Sequence, residues 1–65
     1  MYTKCLHFKE NEIMNFLTEI MKIDDIKFNW RRIHDKYEPY SVHMEYSKES
    51  TNNKIYEIAD KIKGR

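Results

Sequence analysis

Residues 26–46 read IKFNWRRIHDKYEPYSVHMEY, and the fold turns on this stretch. From 26 to 34 the side chains alternate, with Ile26, Phe28 and Trp30 on one face and Lys27, Asn29 and Arg31 on the other. Period-two alternation is the mark of a strand that buries one face. Ile33 falls out of phase after Arg31 and Arg32, which predicts a bulge or the end of regular pairing. The segment DKYEP at 35–39 supplies turn chemistry. Residues 40–46 then alternate more cleanly, setting Tyr40, Val42, Met44 and Tyr46 against Ser41, His43 and Glu45. Two strands joined by five residues predict a β-hairpin.

Working outward, the period upstream is helical. Ile13, Phe16, Leu17 and Ile20 recur along one stripe within residues 10–22, with Met14 and Met21 widening it, and all are assigned to the core. Asn11 is placed to cap the first turn, Glu10 and Glu12 oppose the positive end of the helix dipole, and Lys22 complements the negative end. The Asp24–Asp25 pair breaks the pattern. Residues 2–8, YTKCLHF, alternate imperfectly, with Tyr2, Leu6 and Phe8 opposite Thr3, Cys5 and His7. Lys4 interrupts the apolar side, as suits an edge strand that must discourage pairing with another chain.

Downstream, residues 47–53 form a polar connection rich in capping residues. A narrow stripe of Ile55, Ile58, Ala59 and Ile62 then predicts a second helix, closed by Lys61, Lys63 and a left-handed cap at Gly64. The order is β-α-β-β-α. A right-handed crossover puts both helices on one face of a three-stranded sheet. The fold class is therefore α+β, a two-layer domain spanning residues 1–65. Strand order 1-3-2 is favoured, with the third strand central and antiparallel to both neighbours, and order 1-2-3 is the alternative. The element order resembles a ferredoxin-like fold lacking its last strand, a likeness that carries no function.

Sixty-five residues build one small core, and Cys5 is the single cysteine, so no internal disulfide can support it. A domain of this size gains from a partner, and a homodimer is expected. The lone thiol, with no apolar leader, membrane-length apolar run or lipidation motif, suits a cytoplasmic protein with no membrane contact. Twelve Lys and Arg against eleven Asp and Glu leave a net charge of +1, too even for a general nucleic-acid binder.

Charge is uneven locally. Residues 27–37 carry +3 from Lys27, Arg31, Arg32 and Lys36 against Asp35, while the rest of the chain carries −2. Trp30, Tyr37 and Tyr40 lie among these cations, a mixture that can anchor a protein hot spot or hold phosphate and stack bases. Trp30 is assigned to the core by its alternation. The helix-free sheet face would carry Lys27, Asn29, Arg31, Ser41, His43 and Glu45, joined by Thr3, Cys5 and His7. That face is the candidate working surface, although a solvated polar face is also the ordinary state of an antiparallel sheet. The candidate binding residues are Lys27, Asn29, Arg31, Arg32, Lys36, Tyr37, His43 and Glu45.

Catalysis finds little to work with. Cys5 and His7 could stand beside His43 and Glu45 if the first and third strands pair, but zinc favours paired-ligand spacings that this chain lacks. A nucleophilic thiol would need an activating base, and a strand cysteine lacks help from a helix dipole. The single glycine excludes a glycine-rich phosphate loop. No catalytic residue, metal or cofactor is expected.

By elimination the chain is expected to be a small non-enzymatic binding protein that inhibits or modulates a larger protein. Its many Ile, Lys and Asn residues are compatible with an AT-rich genome, such as that of a phage encoding host-directed inhibitors. The alternative is nucleic-acid or nucleotide binding through the basic, aromatic hairpin segment 27–37.

Overall fold

The computed structural model describes residues 1–64; Arg65, included in the single-domain reading, lies outside the described residues. The elements are β1 (Tyr2–Phe8), α1 (Ile13–Ile20), β2 (Lys27–Arg32), β3 (Tyr40–Tyr46) and α2 (Glu49–Gly64). The sheet runs β1-β3-β2, and β3 is antiparallel to both neighbours. The α+β architecture and the 1-3-2 order are those the alternation pattern predicts.

Register sorts the two faces. Leu6 and Trp30 flank Val42, and Lys4 and Phe28 flank Met44. These residues share a face with Phe8, Tyr40 and Tyr46. Both helices lie on it: Phe16 of α1 stacks on Phe8 at 4.1 Å between ring centroids, and Asn52 of α2 accepts the Tyr46 hydroxyl at 2.6 Å. Phe8, Phe16, Ile20, Val42, Met44 and Ile55 are completely buried at the centre, surrounded by Ile13, Ile26, Tyr46 and Ala59. At about 25 cal/mol per Å² of apolar surface, these side chains are the main source of stability.

Helix α2 lies over β1. The Lys4 ammonium donates to the Tyr56 hydroxyl at 2.8 Å and stands 4.2 Å from the centre of that ring, while Lys63 stands 4.7 Å from the Phe8 ring centre. The hydrogen bond to Tyr56 raises the Lys4 pKa. Lys4 thus lies on the apolar face of an edge strand with its charge carried outward to a tyrosine.

Several local expectations are revised. Helix α1 starts at Ile13 rather than residue 10, because residues 9–12 form a turn. In it the Glu12 amide bonds to the Lys9 carbonyl at 3.0 Å, and the Glu12 carboxylate accepts the Lys9 amide at 2.9 Å. Asn11 is therefore not the cap; Glu12 occupies that position. Met14 and Met21 are 70% and 67% exposed, not core, because the buried face of α1 is filled by Ile13, Phe16 and Ile20. Strand β2 is shorter than residues 26–34: regular pairing ends at Arg32, and one further bond runs from the Ile33 amide to the Pro39 carbonyl at 2.7 Å.

Helix α2 begins at Glu49, inside the stretch read as a connection. Its first turn is held from outside by Asp25, which accepts the Ser47 and Lys48 amides and the Ser47 and Thr51 hydroxyls at 2.6–3.2 Å. Gly64 continues the helix and does not adopt the left-handed conformation expected of it.

Candidate binding surface

Three cross-strand rows make up the helix-free face: Thr3–Glu45–Lys27, Cys5–His43–Asn29 and His7–Ser41–Arg31. Its central row, Cys5, His43 and Asn29, is exposed. Ser41 is buried, and its hydroxyl lies 3.2 Å from the Cys5 sulfur. Cys5 and His43 are neighbours, as β1–β3 pairing requires, but the sulfur meets a serine. The His43 Nε2 comes within 4.0 Å of the Glu45 carboxylate, an ion pair when the imidazole is protonated. Among the described residues, no three His, Cys, Asp or Glu side chains gather as a metal would need.

The candidate residues divide among three places. Lys27, Asn29, Arg31, His43 and Glu45 lie on the helix-free face, as expected. Arg32 does not join them: one residue on from Arg31, it projects to the helix side, where it bonds to the Tyr40 hydroxyl and approaches the Glu10 carboxylate at 3.5 Å. Tyr40 in turn donates to Glu10 at 3.1 Å, so Arg32, Tyr40 and Glu10 form one exposed cluster. Lys36 and Tyr37 lie in the β2–β3 loop, with the ammonium 5.8 Å from the ring centre and Tyr37 74% exposed. Asp35 shapes that loop by accepting the Tyr37 and Glu38 amides at 2.9 and 2.8 Å. These bonds, that to Glu38 first, hold its carboxyl below the usual carboxylate range. Lys27 and Arg31 make no ion pair or hydrogen bond through their side chains among the described residues.

Trp30 overturns its core assignment. It lies on the helix side of β2, opposite Val42, yet is 50% exposed, with Tyr40 tilted against it at 5.8 Å. The cause is coverage. Between residues 26 and 32 the core takes in only Ile26 and, in part, Phe28, and it does not extend to Trp30. Five of the six β2 residues are exposed.

The flank of α1 was the feature that alternation and stripe counting missed. Asn15, Thr18 and Glu19 line the groove shared with Ile58, Lys61 and Ile62 of α2, so Met14 and Leu17 fall on the opposite flank of α1, with Met21 just past its end. The signal was present: the apolar arc of α1 spans roughly 160° at about 100° per residue, more than one buried face requires.

No family model, curated protein or solved structure matches the chain. No helix among the described residues is long and apolar enough to cross a membrane.

Proposed function

We propose that this is a non-enzymatic binding protein that inhibits or modulates a larger protein, engaging it through β2 and the β2–β3 loop. The observation that supports the reading is the half-exposed Trp30 on one face of β2, with Arg31, which has no side-chain partner among the described residues, on the other and the exposed Tyr37 in the following loop. Tryptophan, tyrosine and arginine are the residues that most often carry binding energy at protein interfaces, where desolvation lets one aromatic anchor contribute more than 2 kcal/mol. Nucleic acid is the weaker reading. The cations do not form one track: Arg31 and Arg32 project to opposite faces, and Arg32 is occupied by Glu10 and Tyr40.

A cytoplasmic setting, with the protein encoded by a phage or mobile element against a host protein, suits so small a chain. A homodimer would support its core. The test is a pull-down from host lysate with nuclease treatment, alongside Trp30→Ala and Arg31→Glu proteins and light scattering. A stoichiometric protein that survives nuclease and is lost with Trp30→Ala supports the reading. Recovery of nucleic acid that disappears with nuclease or as salt rises overturns it.

A further inference from the structure

The exposed edge of β2 is a backbone feature as well as a side-chain one. Because the Ile33 amide bonds to Pro39 of the neighbouring chain segment, and antiparallel ladders alternate, the odd residues Lys27, Asn29 and Arg31 direct their backbone groups to β3. The even residues Phe28, Trp30 and Arg32 direct their N–H and C=O groups outward, away from the sheet. Among the described residues no strand pairs with this edge. The other edge differs: β1 carries Lys4 at its centre with α2 drawn over it by Tyr56. Proteins commonly blunt edge strands with such devices, with proline or with bulges. Between Lys27 and Arg32, β2 has neither proline nor bulge; it has only its cations.

Those cations select what can pair there. A strand laid along β2 would place alternate side chains on the two faces of the sheet. On the helix-free face they would meet Lys27 and Arg31, which have no partner among the described residues. On the helix side they would meet Phe28 and the half-exposed Trp30. Two copies of this chain paired through β2 would instead bring Lys27, Arg31 and Arg32 of both to one seam, with like charges close together.

We infer that β2 accepts an extended segment of the partner protein as a fourth strand, and that this segment alternates acidic with apolar residues. The acidic residues face Lys27 and Arg31, the apolar ones cover Phe28 and Trp30, and the backbone bonds go to Phe28, Trp30 and Arg32. This rests on the protein-binding reading above and specifies its chemistry.

The experiment is a titration of the isotope-labelled protein with a synthetic heptapeptide alternating glutamate and valine, followed by amide chemical shifts and hydrogen exchange. A matching peptide with lysine for glutamate, and one N-methylated at alternate amides, are the controls. At free peptide about ten times its Kd, exchange at Phe28, Trp30 and Arg32 should slow about tenfold. Exchange at Asn29 and Arg31, already bonded to β3, should change far less. The lysine and N-methylated peptides should bind at least about tenfold more weakly, and Arg31→Glu, which sets a carboxylate against the remaining Lys27, should narrow the gap between the two charged peptides. Absence of binding, or binding that shifts His43 and Asn29 without slowing those three amides, overturns strand addition. The pull-down could still succeed in that case, so the two readings fail separately. Slow exchange of the same amides without peptide, in a protein that scatters as a dimer, would assign the edge to a second copy and likewise overturn the inference.

Discussion

The Asp25 carboxylate accepts the Ser47 hydroxyl at 2.6 Å, joining the end of the α1–β2 connection to the start of α2 across 22 residues of sequence. Both carboxylate oxygens are used, since the second takes the Lys48 amide at 3.0 Å and the Thr51 hydroxyl at 2.8 Å. Ser47 and Lys48 lie immediately before α2, so a residue distant in sequence accepts the amides at the helix entry and a hydroxyl of its first turn. Asp25→Ala should lower the urea midpoint and speed amide exchange in the first turn of α2. Asp25→Asn, which keeps one acceptor oxygen, should fall between it and the parent. Equal midpoints for all three proteins would contradict this role.

Acid should reveal the same contact. The hydroxyls of Ser47 and Thr51, then the amides, hold the Asp25 pKa far below its ordinary value of 3.8. Asp35 is lowered in the same direction. A depressed carboxyl stabilises the fold fully above its unfolded pKa, and that contribution disappears as pH falls through the folded pKa. The urea midpoint should therefore decline as pH drops from about 4 towards about 2, and the Asp25→Asn protein should decline less steeply. Parallel curves for the two proteins would show that Asp25 is not a source of the acid sensitivity.

Phe8 and Phe16 tie the sheet to α1, their rings stacked and both completely buried. Truncating a buried phenylalanine costs about 3–5 kcal/mol, comparable with the roughly 3–5 kcal/mol that a core this small supplies. Phe16→Ala should consequently be largely unfolded at 25 °C by circular dichroism, whereas Phe16→Leu should fold with a lower Tm. A cooperative melt for Phe16→Ala near that of the parent would mean that the stacked pair is not central.

Strand order could be read from the chain because residues 40–46 alternate without a fault, and the strand that buries its apolar face most completely belongs in the middle. Val42, Met44 and Tyr46 are indeed buried, whereas β1 and β2 have Lys4 and Arg32 on the same face. The helix-free face was legible for the same reason: a period of two assigns Lys27, Asn29, Arg31, His43 and Glu45 together. Alternation says which face a residue takes, not whether anything covers it. Trp30, Met14 and Met21 therefore look like core in the sequence and lie open in the fold. Asp25 was hidden by a different limit. Its partners come from residues 47–51, and a cap supplied from so far away leaves no local pattern.

Trp30 offers the most direct check of the exposed strip, because it is the chain's single tryptophan and all indole emission comes from it. A half-exposed ring should emit to the red of a buried one and admit collisional quenchers. Charge should then sort the quenchers, since Arg31, Arg32 and Lys36 are neighbours in sequence and Arg31 has no ion-pair partner among the described residues. At an ionic strength of about 0.01 M, where the screening length is roughly 30 Å, iodide should quench more efficiently than caesium. Denaturant should narrow that difference by separating the ring from the folded arrangement of cations, and Arg31→Glu should narrow it in the native protein. Weak quenching by the uncharged acrylamide would return Trp30 to the core and remove the support for a binding strip. Strong acrylamide quenching with equal iodide and caesium constants would keep the ring exposed but deny it a cationic setting.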